Sequence, residues 1–182
     1  MSIVITGNPG VGKHTVAEKV AQRLELSIID INEIARNSGV FEENEDVKDV
    51  DTEKLKKILA QKISENNLII GHLAPYVLEK NQIKIMIVLR RSPYDLIKVY
   101  KNRRYSEKKT KENTGSEILG IIAHDAISRF EEKVVQINIT GKTIQEGEEK
   151  VIGLISGNKE SEKVDWLDLV TKNKDLRKFF VD

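Results

Sequence analysis

Gly7-Asn8-Pro9-Gly10-Val11-Gly12-Lys13 stands directly after the β-branched run Ile3-Val4-Ile5-Thr6 and directly before a helical pattern. The spacing is G-x-x-x-x-G-K, and the strand–loop–helix setting is the one in which that spacing carries meaning. Glycines let the main chain curl so tightly that successive amides face one anion, and the helix opening at Lys13 adds the positive end of its dipole. Lys13 then brings a compact cation to the outer phosphates of a polyphosphate tail. A rule-abiding version of this loop follows its lysine with Ser or Thr, whose hydroxyl ligates Mg²⁺; here the residue is His14. Mg²⁺ demands oxygen ligands in octahedral array, so imidazole is a poor replacement. Thr15, one residue on, is placed for the α-phosphate.

The elements that must hold such a loop are legible around it. Val16, Val20, Ala21 and Leu24 recur at helical spacing over 13–25. Ser27–Asp30, Leu68–Ile70, Lys84–Leu89 and Val134–Ile139 read as four further strands. Helical patterns fill 33–36, 52–65, 93–104, 116–131 and 143–156. Strands that are apolar throughout and separated by helices predict a parallel sheet covered on both faces. Ligands of such sheets bind beyond the strands' carboxyl ends, so function is expected just after Thr6, Asp30, Ile70, Leu89 and Ile139.

The whole composition is compatible with one such domain. The chain has 182 residues, 39% hydrophobic and 32% charged, enough for a single core under a charged surface. Thirty basic and 29 acidic residues leave a net charge of +1, so no global field draws it to nucleic acid or membrane. With no cysteine, disulfides, zinc–thiolate sites and cysteine catalysis are excluded. No apolar run approaches the roughly 20 residues of a membrane span, and no cationic leader precedes the first strand, so a cytoplasmic protein is expected. Charge is nonetheless segregated. Residues 41–53 hold seven acids against Lys48, and 98–111 hold seven bases against Glu107. The first reads as a solvated loop, the second as a mobile lid.

Guanine-nucleotide hydrolysis is disfavoured: the third strand leads into Ile70-Gly71-His72-Leu73 rather than D-x-x-G, and Asn173-Lys174-Asp175-Leu176 misses the last Asp of N-K-x-D. The remaining motifs fit a nucleoside monophosphate kinase. Glu33-Ile34-Ala35-Arg36 follows the second strand, Asn102-Arg103-Arg104-Tyr105-Ser106-Glu107-Lys108-Lys109 looks like a short lid, and Gly71-His72 and Val164-Asp165-Trp166 complete the set. With these the chain resembles the adenylate-kinase-like ATPase family of small-subunit ribosome maturation, which includes the coilin-interacting nuclear adenylate kinase and its archaeal relatives.

The resemblance implies one three-layer α/β domain over 1–182, of the P-loop NTPase and nucleoside monophosphate kinase fold, with a parallel sheet of about five strands in the order 2-3-1-4-5. It implies an ATP loop over Gly7, Asn8, Pro9, Gly10, Val11, Gly12, Lys13, His14 and Thr15, a monophosphate-binding segment over 30–51, a lid over 102–112 and a terminal helix with a tail over 162–182. Arg103 falls at the family's nucleotide-binding arginine, Arg36 at its acceptor-phosphate grip, and His72 at the histidine of its Asp-x-His motif. Ile70 replaces that motif's Asp, so both usual protein anchors for Mg²⁺ are missing and the ion, a cofactor beside ATP, is left to phosphates and water. Catalytic roles fall to Lys13, His72 and Arg103, and acceptor binding to Asp30, Glu33 and Arg36. Asp30 suits either a compensating carboxylate or a helix N-cap; Lys142 either lines the adenine pocket or is a loop lysine. Arg90 and Arg91 suit adenine or phosphate, and Trp166 an anchor for the terminal helix. The activity implied is ATP + AMP to two ADP with slow ATP hydrolysis. The partners implied are a small-subunit platform ribosomal protein and, through the basic lid, ribosomal RNA. A nucleotide-gated assembly factor with little turnover, and a small-metabolite kinase, are the competing readings.

Overall fold

The computed structural model describes residues 1–44, 47–158 and 160–180. From the N-terminus run β1 (Ser2–Thr6), α1 (Lys13–Leu24), β2 (Ser27–Asp30), α2 (Ile31–Asn37), β3 (Phe41–Asn44), β4 (Val47–Val50) and α3 (Thr52–Ala60). Then come β5 (Asn67–Ile70), α4 (Ala74–Val77), β6 (Ile83–Arg90), α5 (Pro93–Asn102), α6 (Glu107–Leu119) and α7 (Ile121–Phe130). The chain closes with β7 (Val134–Asn138), α8 (Ile144–Ile155), α9 (Trp166–Lys172) and α10 (Leu176–Phe180). The five apolar strands form one parallel sheet ordered β2-β5-β1-β6-β7, the 2-3-1-4-5 arrangement. Side chains alternate across it, as the pleat requires. Ile3, Ile5, Ile85, Ile87 and Leu89 meet α1, α5 and α8 on one face, and Val4, Met86 and Val88 meet α2, α3, α4 and α7 on the other. That is a three-layer α/β domain. No helix among the described residues is long and apolar enough to cross a membrane.

Four segments differ from the sequence reading. The acidic run over 41–53 is not an open loop: β3 and β4 pair antiparallel, with Phe41 opposite Val50 and Asn44 opposite Val47. Phe41, Val47 and Val50 are strand-favouring residue types, and Asp51 then caps α3 through the Lys54 amide. Glu45 and Asp46 of that run lie outside the described residues. The helical pattern over 116–131 is two helices, because Gly120 (φ 66°) ends α6 in the left-handed region and opens α7. The stretch 102–112 is a four-residue turn followed by the first turns of α6, capped by Ser106 Oγ, which accepts from the Lys109 amide at 3.2 Å.

The terminal segment is two short helices rather than one. Lys174, left-handed at φ 61°, separates α9 from α10. Trp166, Val170 and Phe179 bury themselves with Ile118 of α6, and the Tyr94 ring meets Phe179 edge-on at 5.4 Å. Asp182, at the end of the expected tail, lies outside the described residues.

Candidate functional site

The loop between β1 and α1 is built by close approach. A Cβ at Gly7 would lie 2.4 Å from the Leu89 carbonyl oxygen, and one at Gly10 (φ 82°) would lie 2.9 Å from Tyr100 Cε1. Only glycine fits either place. Tyr100 shores the loop from below, its hydroxyl donating to the Pro9 carbonyl at 2.6 Å, and Tyr105 stacks on Tyr100 with ring centroids 5.3 Å apart. Gly12 caps α1 in the left-handed region (φ 99°) and offers no side-chain acceptor. The first amides of α1 therefore point to an anion the chain itself does not supply.

Lys13 is buried, and its Nζ donates to the carbonyls of Gly7 and Asn8, each at 2.8 Å. Burial pulls its pKa down to about 8; Glu117 and Asp30 oppose that, and Arg103 adds to it. A bound polyphosphate would restore the charged form, so its binding above pH 8 would take up a proton. ATP affinity should accordingly weaken as pH rises through about 8, with the proton uptake visible when calorimetry is repeated in buffers of different ionisation enthalpy.

Most of the expected site residues meet in one cleft of about 800 Å³. Pro9, Gly10, Gly12, Lys13, His14, Thr15, Arg36, His72 and Arg103 line it. Asn32 and Val50 of the expected monophosphate-binding segment, Tyr105 and Lys109 of the expected lid, and Leu73 and Asn113 line it too, none of them given an individual role by sequence reasoning. Tyr105 and Lys109 carried a signal, since the Lys109 ammonium sits 4.2 Å above the Tyr105 ring four residues away. His72 is drawn down to about 4, first by burial and then by Lys13, against the pull of Asp30. It is neutral at pH 7, able to position a ligand by hydrogen bonding but not to clamp it by charge.

Other residues fall elsewhere. Gly7, Asn8 and Val11 form the loop's buried back. Glu33 is exposed on α2, outside the cleft lining. Lys142 lines a separate hollow of about 440 Å³ with Glu146 and Lys150. Asp30 is the N-cap of α2: Oδ1 accepts from the amides of Asn32 (2.8 Å) and Glu33 (3.3 Å). Its other oxygen is also taken, because His14 Nε2 lies 2.7 Å from Oδ2 and a carboxylate can only accept.

Mg²⁺ is implied by the loop's motif, but the donor set does not fit a protein-held ion. Imidazole stands where a hydroxyl belongs, Ile70 is buried and apolar where a carboxylate belongs, and Asp30, hydrogen-bonded at both oxygens, is not among the cleft's described lining residues. No group of three or more His, Cys, Asp or Glu suited to a metal occurs among the described residues.

A buried hub behind the loop escaped the sequence. Glu117 of α6 is fully buried; its Oε1 accepts from Arg90 Nε (2.8 Å), the Arg91 amide (3.1 Å) and Trp166 Nε1 (2.9 Å). Its Oε2 accepts from Asn8 Nδ2 at 2.7 Å, and Ser116 Oγ donates to Asn8 Oδ1 at 3.0 Å. Arg90 is therefore a structural ion-pair partner and is not free for adenine or phosphate. Trp166 does anchor the terminal helices.

Residues 3–120 match the family described as "AAA domain". Curated relatives are similar over nearly the whole chain. A Methanosarcina barkeri protein titled "Putative adenylate kinase" is 35% identical, covering 93% of this chain and 100% of its own length. One of the same title from Pyrococcus furiosus is 33% identical over 86% of this chain and 84% of its own. This chain belongs to the adenylate-kinase-like family of P-loop proteins. Among solved structures it is similar in fold to a gluconokinase from Sinorhizobium meliloti (TM-score 0.58, 14% identity, 85% of this chain and 91% of that one). A shikimate kinase from Bacteroides thetaiotaomicron gives TM-score 0.57 at 17% identity, over 86% of this chain and 98% of its own.

Proposed function

We propose that the protein transfers the γ-phosphoryl group of ATP to AMP, giving two ADP, and hydrolyses ATP slowly when no acceptor is bound. One observation carries this reading: Lys13, Arg36, Arg103 and Lys109 line one cleft, with no Asp or Glu among its described lining residues. Such a lining suits two phosphorylated ligands. A hydroxylated acceptor would have to give its proton to a base, and the neutral bases among the described lining residues are the imidazoles of His14 and His72. The AMP phosphate is already a dianion above about pH 6, so its oxygen attacks without a base. The new P–O bond forms to that oxygen, the bond to the β–γ bridging oxygen breaks, and no proton moves.

Phosphoryl transfer of this kind is mostly positioning and charge stabilisation. The loop amides and Lys13 hold the triphosphate, with Lys13 exchanging the Gly7 and Asn8 carbonyls for phosphate oxygens. Arg36 holds the acceptor phosphate from α2, and neutral His72 positions it from the end of β5. Arg103, in the turn before α6, meets the migrating group with a bidentate guanidinium fork. The family's titles support this reading, as does the phosphate-binding loop. A role in small-subunit maturation, with a platform ribosomal protein as partner and ribosomal RNA against the basic turn, rests on the family resemblance alone.

The test is an acceptor panel in a coupled ADP assay: AMP, the other nucleoside monophosphates, shikimate and gluconate. AMP should give the highest kcat/KM, and preference for a metabolite alcohol would overturn the proposal. Arg103→Ala should lower kcat by about tenfold or more while changing ATP affinity by less than about threefold. Equal losses in both would make Arg103 a ground-state binding residue.

A further inference from the structure

We infer that His14 makes nucleotide binding at the loop independent of a divalent cation. The inference rests on the loop binding a triphosphate, and it deepens that reading by assigning what the site asks of the ligand. His14 is the second residue of α1, next to Lys13, and lines the cleft. Its Nε2 covers Asp30 Oδ2 at 2.7 Å, while the Asn32 and Glu33 amides cover Oδ1. Asp30 itself is not among the cleft's described lining residues, whereas His14 is. An uncovered carboxylate at that place has two fates: it recruits a cation, or it repels the phosphates at short range. The imidazole weakens both, because it hydrogen-bonds that oxygen and it, rather than Asp30, lines the cleft.

The rest of the cleft agrees. Ile70, at the end of β5, is 2% exposed and has no donor atom to give. Charge that a metal would neutralise on the triphosphate is met instead by Lys13, Arg103 and Lys109 together with the open amides of α1. His14 is thus a specificity-determining residue that replaces an ion's seat with a side-chain pair.

The experiment is calorimetric titration of the full chain with ATP, once in excess EDTA and once in excess Mg²⁺. For the natural sequence the two affinities should agree within about threefold. His14→Thr frees Asp30 and supplies the missing hydroxyl, so Mg²⁺ should then tighten ATP by about tenfold or more. His14→Gln keeps an N–H donor for Asp30 and should stay as indifferent to the ion as the natural sequence. His14 is more than half exposed, which makes these exchanges easy for the fold to accept. Binding by the natural sequence that weakens about tenfold in EDTA, with His14→Thr behaving alike, overturns the inference. Loss of ATP binding in both buffers overturns the nucleotide reading beneath it.

Discussion

Replacing Lys13 with methionine should lower turnover by about 10²–10³-fold while leaving stability nearly unchanged. The two halves of that expectation come from the same geometry. With nucleotide bound, Lys13 is the one buried cation at the loop's centre, and removing a preorganised charge from a transferring phosphoryl group costs about that much in rate. Without nucleotide it is a buried ammonium whose pKa is lowered from 10.5 to about 8. That difference corresponds to about 3 kcal/mol of burial cost. Methionine removes the cost but leaves the Gly7 and Asn8 carbonyls without their donor, a loss of about 1–3 kcal/mol.

The pH dependence follows from the sign of the shift. Below pH 8 the lysine is protonated both folded and unfolded, and its cost is fully present. Between about 8 and 10.5 the unfolded chain binds the extra proton, so the cost is relieved as pH rises. Any stability advantage of Lys13→Met should therefore be greatest below pH 8 and shrink above it. Denaturant midpoints across pH 6–10 measure this. A variant that is inactive because it is unfolded would contradict it.

Replacing Glu117 with alanine should produce the largest loss of stability of any single change at the site. The Arg90 side chain is 4% exposed and the Glu117 side chain fully buried. Removing one partner of a buried pair leaves an uncompensated charge, at a cost of about 3–5 kcal/mol. Here it also strips acceptors from the Trp166 indole, the Arg91 amide and Asn8. For a chain of this size the melting temperature should fall by roughly 10 °C. Trp166→Phe, which loses a single hydrogen bond, should cost about 1 kcal/mol. Equal effects would mean that the hub's strength lies in packing of the terminal helices rather than in the ion pair.

What could be read from the sequence was what is contiguous in it. The phosphate loop lies within nine residues and its glycines have one structural meaning, so its place and its shape were legible. Continuous apolar runs such as Ile85–Leu89 declared a doubly covered strand. Glu117 was not legible: it is one acid among many on a polar helix, and only folding brings it to Asn8, 109 residues away. Arg90 was misjudged for the same reason, since a charged residue ending a strand looks like a ligand-binding group until its partner is known. His14 and Ile70 stood out as departures, but the contact between His14 and Asp30 depends on the β1–α1 and β2–α2 corners meeting. The β3–β4 hairpin was hidden because its charges masked the pairing of Phe41 with Val50.

The most direct test of the proposed transfer is ³¹P NMR of the full chain with ATP and AMP together. The γ-phosphoryl signal should disappear as ADP signals grow, with two ADP formed for each ATP consumed and inorganic phosphate a minor product. Growth of inorganic phosphate at a rate indifferent to AMP, with one ADP per ATP, would contradict the account.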